Sequence, residues 1–281
     1  MESELTIRLK THVGKIARDR DPYFATEGRF YVRQYLRQQL EQWGRVQTHE
    51  FVSLGQTHQN LIVDLPGNRG YRPPILVGAH YDAAPNSPGA DDNASGVAVL
   101  LELARLFADQ PANYPLRLVA FDFEETQTQN AGSYFYAQQL QGEPLRLMLS
   151  LEMLGYYDPT PGSQQYPLAT MQAIYPQAGD FIALIGTPST LVEMIHLAWH
   201  LGTAGVPGWW LPVPNRGLIL PETRRSDHAA FWDLGYRAMM VTDTAYLRNP
   251  HYHKPSDRPE TLNFERMTQV CLGLATGLRC L

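Results

Sequence analysis

The chain has 281 residues, of which 44% are hydrophobic and 18% charged, and a formal net charge of −5. Such a length suits one large α/β domain, and the apolar share excludes a disordered chain. The sequence has no basic run and no Lys/Arg-rich patch, which argues against nucleic acid as a partner.

The opening, Met1-Glu-Ser-Glu-Leu-Thr-Ile-Arg-Leu-Lys10, mixes charge with apolar residues. It lacks the uninterrupted apolar run of a signal peptide, and no later segment is apolar and long enough to span a bilayer. No membrane partner is expected. Helical spacing over 28–43, stopped at Gly44, predicts the first helix. Strands are predicted over 46–53, over 60–65 before Pro66-Gly67, and over 74–79. The third is a continuous apolar run, the kind buried on both faces of a sheet. A helix over 94–109 carries Val97, Leu100, Leu101, Ala104 and Phe107 on one stripe. Then come a strand over 116–123, a helix over 133–140, strands over 146–153 and 180–185, and a helix over 189–201. A short helix over 227–234, a strand over 237–242 and a helix over 264–278 close the chain. Two Pro/Gly-rich stretches, 155–167 and 202–221, read as long loops, which in a compact domain are usually functional or mobile. Strands alternating with helices predict a mainly parallel sheet covered on both faces. Cys271 and Cys280 both fall in the closing helix, roughly 13 Å apart along its axis and too far for a disulfide. A reduced, cytoplasmic setting is expected.

The densest chemistry lies in Gly78-Ala-His80-Tyr-Asp82 and Gly89-Ala-Asp91-Asp92-Asn93-Ala-Ser-Gly96. A strand ends at His80, another at Glu124-Glu125, and a third at Glu152. A fourth leads through a loop to His251-Tyr252-His253. In open α/β sheets the carboxyl ends of the strands form the ligand crevice, so these side chains can converge. Imidazole with carboxylate and no thiolate suits Zn²⁺, with Mn²⁺ or Co²⁺ as alternatives. A charge count favours two divalent ions. Asp92 would bridge them, Glu125 and His253 completing one site, His80 and Glu152 the other. Three carboxylates and a bridging hydroxide then balance four positive charges, which lets the site stand in a partly dry cleft. Glu124 is the spare carboxylate, placed to move the proton of an activated water, and Asp82 would hold the second nitrogen of His80.

Plainer readings exist for each residue taken singly. Asp91, Asp92 and Asn93 could be turn and cap residues, with Asp91 or Asn93 capping the following helix. Glu124-Glu125 could be a solvated strand end, His80 a core histidine and His253 a surface one. Their joint placement at strand ends weighs against that. Asp227 and His228 read as helix-start residues near the site that either orient substrate or a ligand or are purely structural, and His251 as a loop residue. His196 and His200 lack the glutamate of a helical metalloprotease motif and read as structural. Trp209-Trp210 either wall an apolar specificity pocket or pin a loop to the core.

These motifs, continued by Arg225-Ser226-Asp227-His228-Ala229-Ala230-Phe231 and Tyr252-His253-Lys254-Pro255-Ser256-Asp257, resemble the zinc aminopeptidases of peptidase family M28 over roughly residues 58–262. The resemblance implies one α/β/α domain over residues 1–281, its central sheet mixed and mainly parallel. It implies His80, Asp92, Glu125, Glu152 and His253 as ligands of two metal ions, most simply zinc. It implies Glu124 as general base and Tyr252 as a stabiliser of the tetrahedral oxyanion. The expected reaction is removal of the N-terminal residue from a peptide with a free N-terminus. The alternatives are a glutaminyl-peptide cyclotransferase working on a single zinc, which resembles the same family, and a non-catalytic binding relative.

Overall fold

Apolar runs too short for helices and bounded by turn residues become the centre of a sheet. In the computed structural model, which describes residues 3–125 and 131–281, β3 (Ile75–His80), β4 (Leu116–Phe121), β5 (Leu147–Glu152), β6 (Ile182–Gly186) and β8 (Ala238–Thr242) are buried almost throughout. With β1 (Val46–Ser53), β2 (Gln56–Leu65) and β7 (Gly208–Pro212) they form an eight-stranded sheet ordered β1-β2-β4-β3-β5-β8-β6-β7. The β4/β3, β3/β5, β5/β8 and β6/β7 pairs are parallel; β1/β2, β2/β4 and β6/β8 are antiparallel. The sheet is thus mixed.

Both faces are covered. On one side α1 (Glu4–Ile16), α2 (Thr26–Leu40), α3 (Gly96–Asp109), α5 (Leu191–Ala204) and α7 (Phe264–Cys280) bury Leu9, Leu36, Phe107, Leu197 and Leu274 against Val77, Leu118 and Leu149. On the other, α4 (Gly132–Gln139) and α6 (His228–Asp233) bury Tyr136, Phe231 and Trp232 against Leu76, Val119 and Met148. Successive residues of β3, β4 and β5 feed opposite layers, as the period of a strand requires.

Several boundaries differ from the sequence reading. Helix α1 is an element that the emphasis on its charges concealed, although Leu5, Leu9, Val13 and Ile16 make a buried stripe. Residues 1–2 of that opening lie outside the described residues. β2 starts at Gln56, and helix α3 starts at Gly96 rather than Ala94, because 90–95 form an irregular turn in which the Asp92–Asn93 peptide is cis. β7 lies inside the stretch read as a loop over 202–221. It pairs on one side only, with β6, so its residues stay half exposed and lack the signature of a buried strand.

Candidate metal centre

The carboxyl ends of β3, β4 and β5 meet at one point. His80 is the last residue of β3, Glu152 the last of β5, and Glu124-Glu125 follow β4. Asp92 is delivered by the irregular turn before α3. That turn is fastened from several directions. The Asn93 side-chain amide donates to Leu151 O (2.8 Å), and its oxygen accepts from the backbone N–H of Gly96 and Met153. A Cβ on Gly96 would lie 2.4 Å from Asn93 Oδ1 and 2.7 Å from Leu151 O, so only glycine lets the turn lie this close to β5. Asp257 accepts from the backbone N–H of both Asp91 (2.8 Å) and Asp92 (3.1 Å). Among the described residues, fully buried Arg20 donates only to backbone carbonyls, those of Tyr81, Pro88, Gly89 and Asp92 included.

Two groups of potential ligand atoms result, and Asp92 belongs to both. His80, Asp92 and Glu152 form one and Asp92, Glu125 and His253 the other, each with its ligand atoms within 4.8 Å of one another. His80 Nε2 lies 3.2 Å from Asp92 Oδ1 and 3.5 Å from Glu152 Oε2. His253 Nε2 lies 3.1 Å from both Asp92 Oδ2 and Glu125 Oε2. The donor set is imidazole and carboxylate, which suits a divalent ion such as zinc. Among the described residues, His80 Nε2, His253 Nε2, Asp92 Oδ1 and Glu125 Oε1 are buried with no hydrogen-bond partner of proper geometry. Buried polar atoms are normally satisfied, and a cation at each group would satisfy these.

The surroundings orient the donors. Asp82 Oδ1 is 3.3 Å from His80 Nδ1, and its two oxygens accept from the N–H of Glu124 and of Glu125, both at 3.1 Å. One carboxylate therefore sets the imidazole of one group and the loop of the other. Ser226 donates to Glu152 Oε2 at 2.6 Å and shares a 2.7 Å hydrogen bond with Ser150. Neither Ser226 nor Asp257 was given a role by sequence reasoning. Both stand in quoted motifs, but their partners are distant in sequence. His228 does not join the cluster. Its Nε2 meets Thr223 O at 2.8 Å, its ring packs against Trp232, and burial pushes its pKa down to about 3, so it is a neutral structural histidine. Asp227 is buried near the cluster, and its carboxyl is pushed up to about 7 by burial. His251 meets Ser256 Oγ in its loop, while His196 meets Gly277 O and packs edge-on against His200.

The electrostatics follow from crowding. Burial opposes charge on His80, yet Glu152, Glu124, Asp82 and Asp92 hold its pKa well above 6.5. Against the same penalty, Asp92 and Glu125 lift His253 to about 10. Asp92 is lowered, because the bonds from His253 and His80 outweigh its burial. Burial lifts Glu124 well above its ordinary value, and Glu152 and Glu125 add to the lift against the pull of His80. Glu124 stands 3.9 Å from His80 Nε2 and belongs to neither ligand group. The Tyr252 ring stacks on His253 with centroids 3.8 Å apart, and burial raises its phenol, which stays a proton donor.

Beside the cluster opens an apolar pocket. Trp209 and Trp210 line it with Tyr166, Tyr175, Phe181 and Tyr246, and Glu152 and Tyr252 reach it from the metal side. The two tryptophans stand on β7 and contribute to the wall of this pocket.

A sequence model of peptidase family M28 matches residues 60–192. The chain is 39% identical over 247 residues to the uncharacterized protein YfbL of Escherichia coli, covering 83% of this chain and 74% of that one. It is 38% identical over 223 residues to aminopeptidase YwaD of Bacillus subtilis, covering 76% of this chain and 43% of that one. Among solved structures, LapA aminopeptidase of Legionella pneumophila superposes with a TM-score of 0.71 at 19% identity, over 98% of this chain and 69% of that one. A glutaminyl cyclase of Bacteroides thetaiotaomicron superposes with a TM-score of 0.68 at 16% identity, over 98% and 96%. At such identities the structures attest the fold alone. Identity of 38–39% over most of the chain, with the matched segment, makes the chain a member of peptidase family M28, hydrolases that act on peptides.

Proposed function

We propose that the chain is a metal-dependent aminopeptidase working as a single catalytic domain. His80, Asp92 and Glu152 hold one divalent ion, and Asp92, Glu125 and His253 a second. Zinc is the natural occupant of such a donor set. The observation that carries the reading is the sharing of Asp92 by two ligand groups, with the ligand-free Glu124 beside them. When bound, the ions lower the pKa of water and polarise a carbonyl oxygen. The chain's own residues do the rest. Glu124, its pKa raised, accepts the proton from water and returns it to the leaving amine. Tyr252, kept as a neutral phenol, donates a hydrogen bond to the oxyanion. Asp82 fixes the ring of His80. The carboxylates of Glu124 and Glu152 attract the substrate ammonium. The aromatic pocket takes the side chain of the N-terminal residue, and its lining favours a large apolar one.

The second reading is a glutaminyl-peptide cyclotransferase, favoured by the fold likeness to the Bacteroides enzyme. One ion per chain, with pyroglutamate formed from an N-terminal glutamine, would establish it in place of the aminopeptidase. The aminopeptidase reading predicts about two ions per chain and release of free amino acid. Glu124→Gln keeps both ions and lowers kcat about 10²–10⁴-fold. A Glu124→Gln protein that cleaves aminoacyl anilides at the wild-type rate would remove Glu124 from this role.

A further inference from the structure

Arg225 stands on the wall between two cavities. It lines the aromatic pocket together with Glu152 and Tyr252. It also lines a second, more polar cavity that Glu124, Ser133, Tyr134 and Ser226 help to enclose. Its Nη2 donates to the Tyr252 hydroxyl at 3.4 Å, and its guanidinium lies over the Tyr246 ring, 4.9 Å from the centroid. The adjacent Arg224 is paired with Asp233 at 2.7 Å, whereas Arg225 forms no ion pair among the described residues. An exposed arginine held by a phenol and an aromatic face has its donor fork free for a planar anion.

The proposed reaction says what that anion is. With the first side chain in the aromatic pocket and the reacting carbonyl beside Tyr252, the leaving part of the peptide must run past Glu124 into the second cavity. One residue of extended chain advances about 3.3–3.6 Å. The main-chain group one residue beyond the cleaved bond therefore falls within reach of a guanidinium that touches the Tyr252 hydroxyl. In a dipeptide that group is a free carboxylate; in a longer peptide it is a neutral amide.

We propose that Arg225 is a specificity-determining residue that binds the α-carboxylate of the second residue, making dipeptides the preferred substrate class. This rests on the aminopeptidase reading. The test compares kcat/KM of the zinc-loaded protein for phenylalanyl-glycine, phenylalanyl-glycinamide and phenylalanyl-glycyl-glycine. A charge-assisted hydrogen bond predicts a preference for the dipeptide over its amide of about ten- to a hundredfold. Arg225→Met should bring that ratio towards one, and Arg225→Lys should keep part of it. Arg225 is exposed, so neither variant disturbs the core. A wild-type ratio near one overturns the proposal. So does an Arg225→Met protein in which both substrates slow equally and the ratio survives, since Arg225 would then act through Tyr252. Phenylalanine released from all three peptides with equal efficiency overturns the dipeptide preference and leaves the aminopeptidase reading standing. Phenylalanine released from none overturns both.

Discussion

The two ligand groups share a carboxylate yet are built from different material. His80 and Glu152 end two neighbouring parallel strands, and their group is buried throughout. Glu125 and His253 stand on loops, and the His253 imidazole is 32% exposed. Strand ends hold geometry through the sheet's own hydrogen bonds, whereas loop residues need separate fastenings. The loop half has them: Asp82 accepts from the Glu125 N–H, and Tyr252 stacks on His253. One half is therefore rigid by construction and the other by attachment, which predicts a tighter and a looser ion.

The comparison can be broken at its shared member. Asp92→Asn should drain both halves, leaving fewer than about one ion per chain and lowering activity by about 10³-fold or more. Elemental analysis showing two tightly held ions in that variant would end the bridging assignment. A smaller loss is expected where the halves are separated. His253→Ala should retain about one ion in the strand half, with activity down by about 10²-fold or more. The asymmetry would be wrong if it lost both ions while His80→Ala kept one.

The third expectation concerns pH. Without metal, His253 is held at about 10 and Glu125 at about 7, above their ordinary values of 6.5 and 4.5. A pKa raised in the folded state contributes stability that is present below the unfolded value and lost as pH rises through the folded one. The Glu125 contribution fades between pH 4.5 and about 7, and the His253 contribution between pH 6.5 and about 10. Chelated protein should show a Tm that falls from pH 6 to pH 10. Zinc, which needs the deprotonated ligands, should flatten or reverse that slope. A chelated Tm that climbs over this range would contradict the loop-half electrostatics. The smallest effect lies outside both halves. Trp209→Ala should leave metal content at the wild-type level and raise KM for phenylalanyl substrates by about an order of magnitude.

The strand-end residues were legible because each sits where an apolar run stops, and a parallel sheet brings such ends together. The α/β class was legible from the same alternation. What stayed hidden depends on contacts far apart in the chain. Ser226 reaches Glu152, and Asp257 reaches the N–H groups of Asp91 and Asp92, with nothing nearby in sequence to announce it. β7 was hidden for another reason: it pairs on one side, is half exposed and ends at Pro212, all features of a loop. α1 was obscured because its exposed charges drew attention away from a stripe at helical spacing.

Arg20 carries a consequence for how the centre tolerates change. Its side chain closes a span from residue 20 to residue 92, and every acceptor it uses there is a main-chain oxygen. Substitution at Tyr81 or Pro88 leaves those carbonyls in place, so sequence drift there is silent at this joint, whereas at Gly89 (φ +58°) a Cβ would lie 2.3 Å from Asp92 O and 2.9 Å from Arg20 Nη2. The joint is thus vulnerable at Gly89 and at residue 20, and residue 20 lies outside the family-matched residues 60–192. A fragment trimmed to the matched segment would keep His80, Asp92, Glu125 and Glu152. It would lose both His253 and the buried cation that the Asp92 turn is moulded around.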